Sequence, residues 1–498
     1  VDRLLAADPL DLPPARVPTL PAWADAGTLP AVRLVGRHLA LPATATRHLL
    51  TALAMSRIDD PAPTVDQMIE GCDRGSLRAL AWALFERWLA LGAPPREYWV
   101  LHALGLLGDD TTVRRLAPLI QAWPGTGGHT RATVGLEVLA AIGSDVALTQ
   151  LDAIARGARH LGLRDRAVTK LHEVAAVRGL SAEELADRIV PDLGLDRAGS
   201  LGIDYGPRRF VVGFDERLRP VVTGPDGRPR AALPKPATSD DPDLAAAGRR
   251  RFVELKRDVR AIAGHQIVRL EQAMVTQRRW RAAEFQELFV AHPLLWHLVR
   301  RLVLVHATPA EPVTVVGAVR LAEDRTLADL DDTPVLLGDD ALIGVAHPLH
   351  LGADRTAWAE LLADYEILQP FAQLGREVFR LTDAERPQPR LARFAAATVA
   401  TRRLLGLERR GWRRADPGDG GIQGWIERPA PCGRSVVVSL DPGIAAGDPE
   451  LFPEQTFEEI WVHGPGESRW APRRGSRLGD LDDVTVSEVI RDLSEVTR

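Results

Sequence analysis

The densest polar constellation in this 498-residue sequence is Asp364-Tyr365-Glu366, followed by Gln369 and Arg376, inside an apolar frame of Leu361, Ile367, Leu368, Phe371 and Leu374. Two carboxylates beside an arginine can divide the work of general acid and general base, because a neighbouring charge drives their pKa values apart. Asp364 and Glu366 are two residues apart and diverge on a continuing helix, so this chemistry needs the helix to stop there. Pro370 favours such a stop, since the residue before a proline is pushed out of the helical region. One reading is a cleft lined by Asp364, Glu366 and Arg376. The other is a structural tie between a helix end and the next strand, with capped carboxylates and no cavity.

His347-Pro348-Leu349-His350 with Asp354 offers three metal-ligand types within eight residues, but Pro348 breaks the helical i, i+4 spacing that zinc sites often use. A strand ending in a turn explains the same residues, so His347, His350 and Asp354 are weak metal candidates. His292, His297 and His306 lie five and nine apart and share no helix face cleanly. Trp412, Asp416 and Asp419 stand on a glycine-rich loop that could offer oxygen ligands to a divalent cation, although the calcium-loop spacing is missing. The sequence holds no Gly-Lys pair for a phosphate-binding loop, no Gly-x-Ser-x-Gly elbow, no His-Glu-x-x-His and no Gly-x-Gly-x-x-Gly after a strand. No cofactor is expected.

The composition is that of an ordinary folded protein, with 45% hydrophobic and 26% charged residues. A net charge of −5 gives no global basic footprint for nucleic acid, although Arg249, Arg250 and Arg251 leave a local one open. Of the 62 basic residues, three are lysines (Lys170, Lys235 and Lys256); this arginine bias, with the abundance of Ala and Pro, suits a GC-rich bacterial genome. The two cysteines, Cys72 and Cys432, rule out a disulfide scaffold and fit a reducing compartment. No stretch is long and apolar enough to span a membrane, and no basic segment near Val1 leads into an apolar run. A cytoplasmic protein is expected.

Positioning these residues falls to two kinds of element. Residues 1–28 are rich in Pro and Ala and read as an arm. From 29 to 194 the pattern is helical: in Ser76 to Leu91, apolar residues recur every three or four positions. Gly108, Gly143 and Gly179 recur at intervals of 35 and 36, each preceded by an apolar run and followed by Asp109, Ser144 or Ser181. Each glycine suits a left-handed helix end and each polar residue suits the next helix start. That is a helix-turn-helix repeat, predicting a HEAT-like α-solenoid, with a plain helical bundle as the alternative.

Near residue 200 the period becomes alternating, with strands around 209–214 and 218–223, and Pro225-Asp226-Gly227 as a turn. A long helix from Leu244 to about Trp280 follows, paired with a helical segment from Glu284 to His306. Alternation returns over 312–352, Asp354 to Tyr365 is helical, and a helix is expected from Leu391 to Leu407. Strands near 421–427, 435–440 and 458–463 precede a closing helix from Ser487. The fold class is therefore α+β and multidomain: a helical N-terminal part, then two mixed α/β parts, 195–382 and 383–498.

Three stretches of the mixed region resemble the MolR-like bacterial family, which contains domain of unknown function 4132. They are Asp364-Tyr365-Glu366-Ile367-Leu368-Gln369-Pro370-Phe371 running on to Gln373-Leu374-Gly375-Arg376, Arg410-Gly411-Trp412 with Asp416 and Asp419-Gly420-Gly421, and Arg269-Leu270-Glu271 through Arg279-Trp280 to His292-Pro293-Leu294-Leu295. The resemblance spans roughly 195–498. It implies helical repeats upstream, and genomic neighbours of the MoxR-type AAA+ ATPase and von Willebrand A classes as assembly partners. Many members of the family also carry a WGR domain; here no Trp is followed by Gly, so its nucleic-acid ligand is not carried over. The expected function is a protein-interaction or scaffold role, with an enzyme centred on Asp364, Glu366 and Arg376, or a nucleic-acid-associated protein, as the alternatives.

Overall fold

The computed structural model describes residues 17–36, 38–309, 313–465 and 476–498. Two units account for the chain, residues 1–191 and 192–498. The expected helical segment, 29–194, lies in the first but for its last three residues, and both mixed segments lie in the second.

The first unit is built from α1 (Ala43–Met55), α2 (Pro63–Gly71), α3 (Arg74–Ala90), α4 (Trp99–Leu107), α5 (Asp110–Ala122), α6 (His129–Ile142), α7 (Asp145–Gly157), α8 (Leu161–Val177) and α9 (Ala182–Arg188). The helix starts that follow Gly108, Gly143 and Gly179 carry the caps expected of Asp109, Ser144 and Ser181. Asp109 Oδ1 accepts the Thr111 amide at 2.9 Å, Ser144 Oγ accepts that of Ala147 at 3.2 Å, and Ser181 forms a reciprocal box with Glu184. The helices then stack in two layers: α1, α4, α6 and α8 in one, α5, α7 and α9 in the other. Contacts spanning 34 and 35 residues tie neighbouring turns, Ser144 Oγ donating to Asp110 Oδ1 at 2.5 Å and Arg178 Nη2 to the Gly143 carbonyl at 3.3 Å. Among the described residues between 100 and 190 there is no strand.

Gly143 and Gly179 end their helices in the left-handed region, at φ 61° and 67°. Gly108 does not. Its φ is −76°, and it is needed because a Cβ there would stand 2.3 Å from the Leu104 carbonyl oxygen. The expected arm lies outside the described residues up to residue 16. Its remainder is held down: Trp23 stacks on Trp99 at 6.4 Å, and Arg87 at the end of α3 donates to the Trp23 carbonyl and to Thr28.

In the second unit, β1 (Leu201–Asp204), β2 (Arg209–Phe214), β3 (Pro220–Thr223) and β4 (Pro229–Arg230) form an antiparallel sheet in sequence order. Helix α10 (Pro242–Val275) packs on β1, where a Cβ at Gly248 would come within 2.6 Å of Ile203. A second antiparallel sheet has the order β5-β9-β6-β7-β8, from β5 (Trp280–Arg281), β6 (Leu304–Thr308), β7 (Thr314–Leu321), β8 (Leu327–Ala328) and β9 (Leu342–Val345). Helix α11 (Arg355–Asp364) buries Trp358 and Leu362 in the core that also holds Val303 and Val305. The third sheet, order β10-β14-β13-β12-β11, uses β10 (Thr398–Ala400), β11 (Arg413–Arg414), β12 (Ile422–Pro429), β13 (Ser435–Ala445) and β14 (Glu454–His463). Helix α12 (Asp483–Thr497) closes its core with Val486, Val489, Ile490 and Leu493.

Two expected helices are corrected. The segment from Glu284 to His306 is short turns followed by β6, because Phe285 and Phe289 fold back on Trp280 and the His292 ring nitrogen captures the amides of Leu294 and Leu295. Between Leu391 and Leu407, residues 398–400 pair with β14 instead, and helix survives over Thr401–Gly406. Sheet pairing overrides local helix propensity there.

Candidate functional site

Helix α11 does stop at Asp364, and the agent is Glu366 rather than Pro370. At φ 54° Glu366 is left-handed; its amide bonds the Ala363 carbonyl and that of Ile367 bonds Leu362, the pattern of a Schellman end. Asp364 and Glu366 are both exposed. Between them Tyr365 donates its hydroxyl to Asp332 Oδ2 at 2.7 Å, while Arg320 forks onto the other Asp332 oxygen at 2.7 and 3.1 Å and stacks on the Tyr365 ring.

Arg376 lies elsewhere. It is 6% exposed and turned to Glu488 of α12, with Nε and Nη2 donating to the two carboxylate oxygens at 2.6 Å each; Nη1 reaches Glu271 of α10 at 2.7 Å. The structure thus does not gather Asp364, Glu366 and Arg376. Gln369 and Gln373 prepare the turn before Arg376. The Gln373 amide, fully buried, bonds both backbone groups of Val303 and the carbonyl of Ala346, standing in for a peptide where β6 and β9 part.

His347 joins the same carboxylate. Its Nδ1 accepts the Leu349 amide, so the tautomer assigned from the hydrogen bonds places the proton on Nε2, 3.3 Å from Glu488 Oε1. His350 repeats the device: Nδ1 accepts the His347 amide and Nε2 faces Gln277 Oε1 at 3.3 Å. Gln277, left-handed at φ 55° just past α10, passes the chain on to Asp482 Oδ1 at 2.6 Å. Burial, helped by the charge of Arg279, pushes His350 down to about 4, so it is neutral at neutral pH. Burial works to raise Glu488, but the Arg376 fork and His347 outweigh it and hold the carboxyl well below its usual range.

One helical turn on, Asp492 is sealed at 0% exposure. It accepts from Trp412 Nε1 at 2.8 Å, from Arg410 at 2.9 Å and from Arg428. The two buried carboxylates of α12 are therefore both held by cations from other elements. A carboxylate sealed in this way has no open path to exchange a proton with solvent, and depriving it of its partners is costly. The partners Glu271, Gln277, Asp482, Glu488, Arg428 and Asp492 escaped the sequence reading. Their signal is that Glu488 and Asp492 stand one helical turn apart, directly beside the apolar positions Val489, Leu493 and Val496.

The metal candidates do not converge. Both ring nitrogens of His347 and of His350 are engaged within the fold, and Asp354 is exposed at the start of α11. No group of three or more His, Cys, Asp or Glu with the geometry to hold a metal ion occurs among the described residues. His292 caps a turn, His297 is buried in the next turn and His306 lies in β6. Trp412 points into the core toward Asp492, whereas Asp416 and Asp419 are exposed. In the first unit, a groove of about 340 Å³ runs between α3 and α5, lined by Pro30, Trp82, Ala83, Glu86, Thr111 and Arg115, with the Arg115 guanidinium 3.9 Å above Trp82.

Residues 227–412 match the family model for a domain of unknown function, DUF4132. The chain is 37% identical over 413 residues to the uncharacterized protein YehI of Escherichia coli (strain K12). That similarity covers 83% of this chain and 34% of YehI, so the chain spans about a third of the length of this relative. No solved structure matches. The matched region contains the Gln369–Arg376 turn and the Arg410-Gly411-Trp412 corner, the two segments whose arginines receive α12. No helix among the described residues is long and apolar enough to cross a membrane.

Proposed function

We propose that this chain is a docking or scaffold component of a bacterial cytoplasmic assembly, a MolR-like protein whose N-terminal helices act as a HEAT-like solenoid that holds a partner protein. One observation carries the reading: α4, α6 and α8 rest on one another, α5, α7 and α9 do likewise, and Asp110 to Ser144 and Gly143 to Arg178 tie successive turns across 34 and 35 residues. Stacked pairs of this kind present extended surfaces suited to protein ligands. The α3–α5 groove, floored by Trp82 and flanked by Arg115 and Glu86, is the contact point on that surface, and aromatic and arginine side chains are what anchor protein interfaces. The second unit supports a structural role, since Arg376 and Glu488 are spent on each other and Asp492 on Arg410 and Arg428.

The partners are a MoxR-type AAA+ ATPase and a von Willebrand A protein, as the family resemblance implies. The test is affinity purification of the tagged chain from its native host with quantitative mass spectrometry, beside an unrelated bait and an Ala83→Trp variant that fills the groove. Both partner classes should be enriched by the parent chain and lost from the variant. Enrichment of neither class sinks the proposal.

A further inference from the structure

Arg300 and Arg325 place their guanidinium carbons 4.8 and 4.7 Å from the centroid of the Trp296 ring. Trp296 opens a short helical turn, Trp296–Val299, with Arg300 and Arg301 at its end; Arg325 comes from the turn between β7 and β8, where it is left-handed at φ 68°. These three cations are unequally neutralised. Arg300 Nη2 faces Glu216 at 3.2 Å and Glu323 at 3.5 Å, acids whose side chains are more than half exposed. Arg301 spends its bonds on the carbonyls of Leu368 and Glu216, and Arg325 on those of Val290 and Arg197. Neither pairs with a carboxylate among the described residues.

Carbonyl bonds fix a guanidinium in place but leave its charge standing. Burial, together with the like charges of Arg217 and Arg300, holds Arg301 below the usual guanidinium value despite Glu216 and Asp215. Beneath the ring His297 is 8% exposed, and its Nδ1 is sealed from water with no bond among the described residues. Burial and the charges of Arg300 and Arg325 push it down to about 4, so it adds no further charge and stands as a neutral polar wall. The turn is thus an aromatic platform carrying crowded cations that are already oriented and answered by two exposed acids.

We infer that Trp296, Arg300, Arg301 and Arg325 form a binding site for a small phosphate-bearing anion, whose oxygens displace Glu216 and Glu323 from Arg300. Guanidinium forks match phosphate oxygens in bidentate geometry, and the ring and carbonyl bonds have already met the cost of ordering the long side chains. With two guanidiniums on Trp296, recognition runs through the phosphate oxygens rather than through base stacking. The site lies in the second unit and stands or falls separately from the groove of the first.

The test is calorimetric titration of the full chain with inorganic phosphate and pyrophosphate in low-chloride buffer, and in parallel with a short single-stranded oligonucleotide. Saturable one-to-one binding of pyrophosphate is expected, weakened about tenfold or more by Arg300→Gln. Glu323→Gln removes the competing carboxylate and should tighten binding, a gain that damage to the fold does not produce. Circular dichroism checks each variant; if Arg300→Gln does not fold, Glu323→Gln alone decides. Absence of saturation by about 10 mM, where an affinity would fall short of even weak ligands, overturns the inference. So does an affinity that a folded variant fails to move in its stated direction, or binding confined to the oligonucleotide.

Discussion

Arg376 and Glu488, 112 residues apart in the chain, meet in a two-fold hydrogen-bonded pair with both contacts at 2.6 Å and neither residue more than 6% exposed. Removing Glu488 leaves the buried Arg376 with Glu271 alone, and removing Arg376 leaves the buried Glu488 without its fork and with His347 as its remaining partner from another element. Glu488→Gln or Arg376→Met should therefore cost about 3–5 kcal/mol of stability, read as a lower urea midpoint. The double variant Arg376→Met/Glu488→Leu should recover much of the loss, because a matched apolar pair removes both buried charges and leaves only the part-exposed Glu271 and the His347 ring without this partner. A double variant as unstable as the sum of the singles would show that the pair itself is not the tether.

The Asp364–Glu366 segment carries the opposite expectation. Glu366→Gln, on an exposed side chain, should leave stability unchanged to within about 0.5 kcal/mol. Glu366→Gly should raise it slightly and Glu366→Val lower it, since the left-handed backbone at φ 54° suits glycine and opposes a β-branched residue. Thermal unfolding of the three variants checks the order.

Acid stability should follow the two histidines held at about 4, His297 and His350. Their unfolded forms bind a proton near 6.5, so between 6.5 and 4 the unfolded chain takes up more protons and stability falls as pH falls. Each contributes on the order of 3 kcal/mol at the acid end of that window. Glu488, held below its ordinary range, contributes stability that is present above about 4.5 and lost at lower pH, so it adds no slope between 6.5 and about 4.5 and adds to the fall below that. Urea midpoints at pH 7 and pH 5 should differ for the parent chain and differ less for His350→Asn.

Helix starts in the first unit should each be worth a measurable amount. Ser181→Ala breaks the box with Glu184 and should cost about 1 kcal/mol, seen as faster amide exchange across α9. Asp109→Ala should cost more, because Asp109 also receives Arg78 at 2.5 Å.

What the sequence disclosed was local. Asp109, Ser144 and Ser181 act on amides two or three residues away, so their capping roles could be read directly, as could the end of α11 near Asp364. Where the decisive contact was distant the reading failed. Nothing near Arg376 points to Glu488, and the exposed Asp364 and Glu366 were nearer in sequence than the partner that Arg376 uses. Residues 398–400 look helical until β14 offers its edge. Gly108 reads in sequence as a left-handed cap like Gly143 and Gly179, whereas its own constraint is the Leu104 carbonyl behind it. The acids of α12 were legible in principle, as charges beside an apolar stripe, but their meaning depends on Arg376, Arg410 and Arg428.

Helix α12 also sets an order in time. Glu271, His347, Arg376, Arg410, Trp412 and Arg428 all precede it, so a ribosome has made every one of its partners before it makes Glu488 and Asp492. Until residue 497 has cleared the exit tunnel, the nascent second unit holds Arg376 without Glu488, Arg410 and Arg428 without Asp492, and the core around Val436, Phe457 and Ile460 uncovered. The second unit therefore completes its folding after release of these last turns, and the interval before it is when a holding chaperone has most to grip.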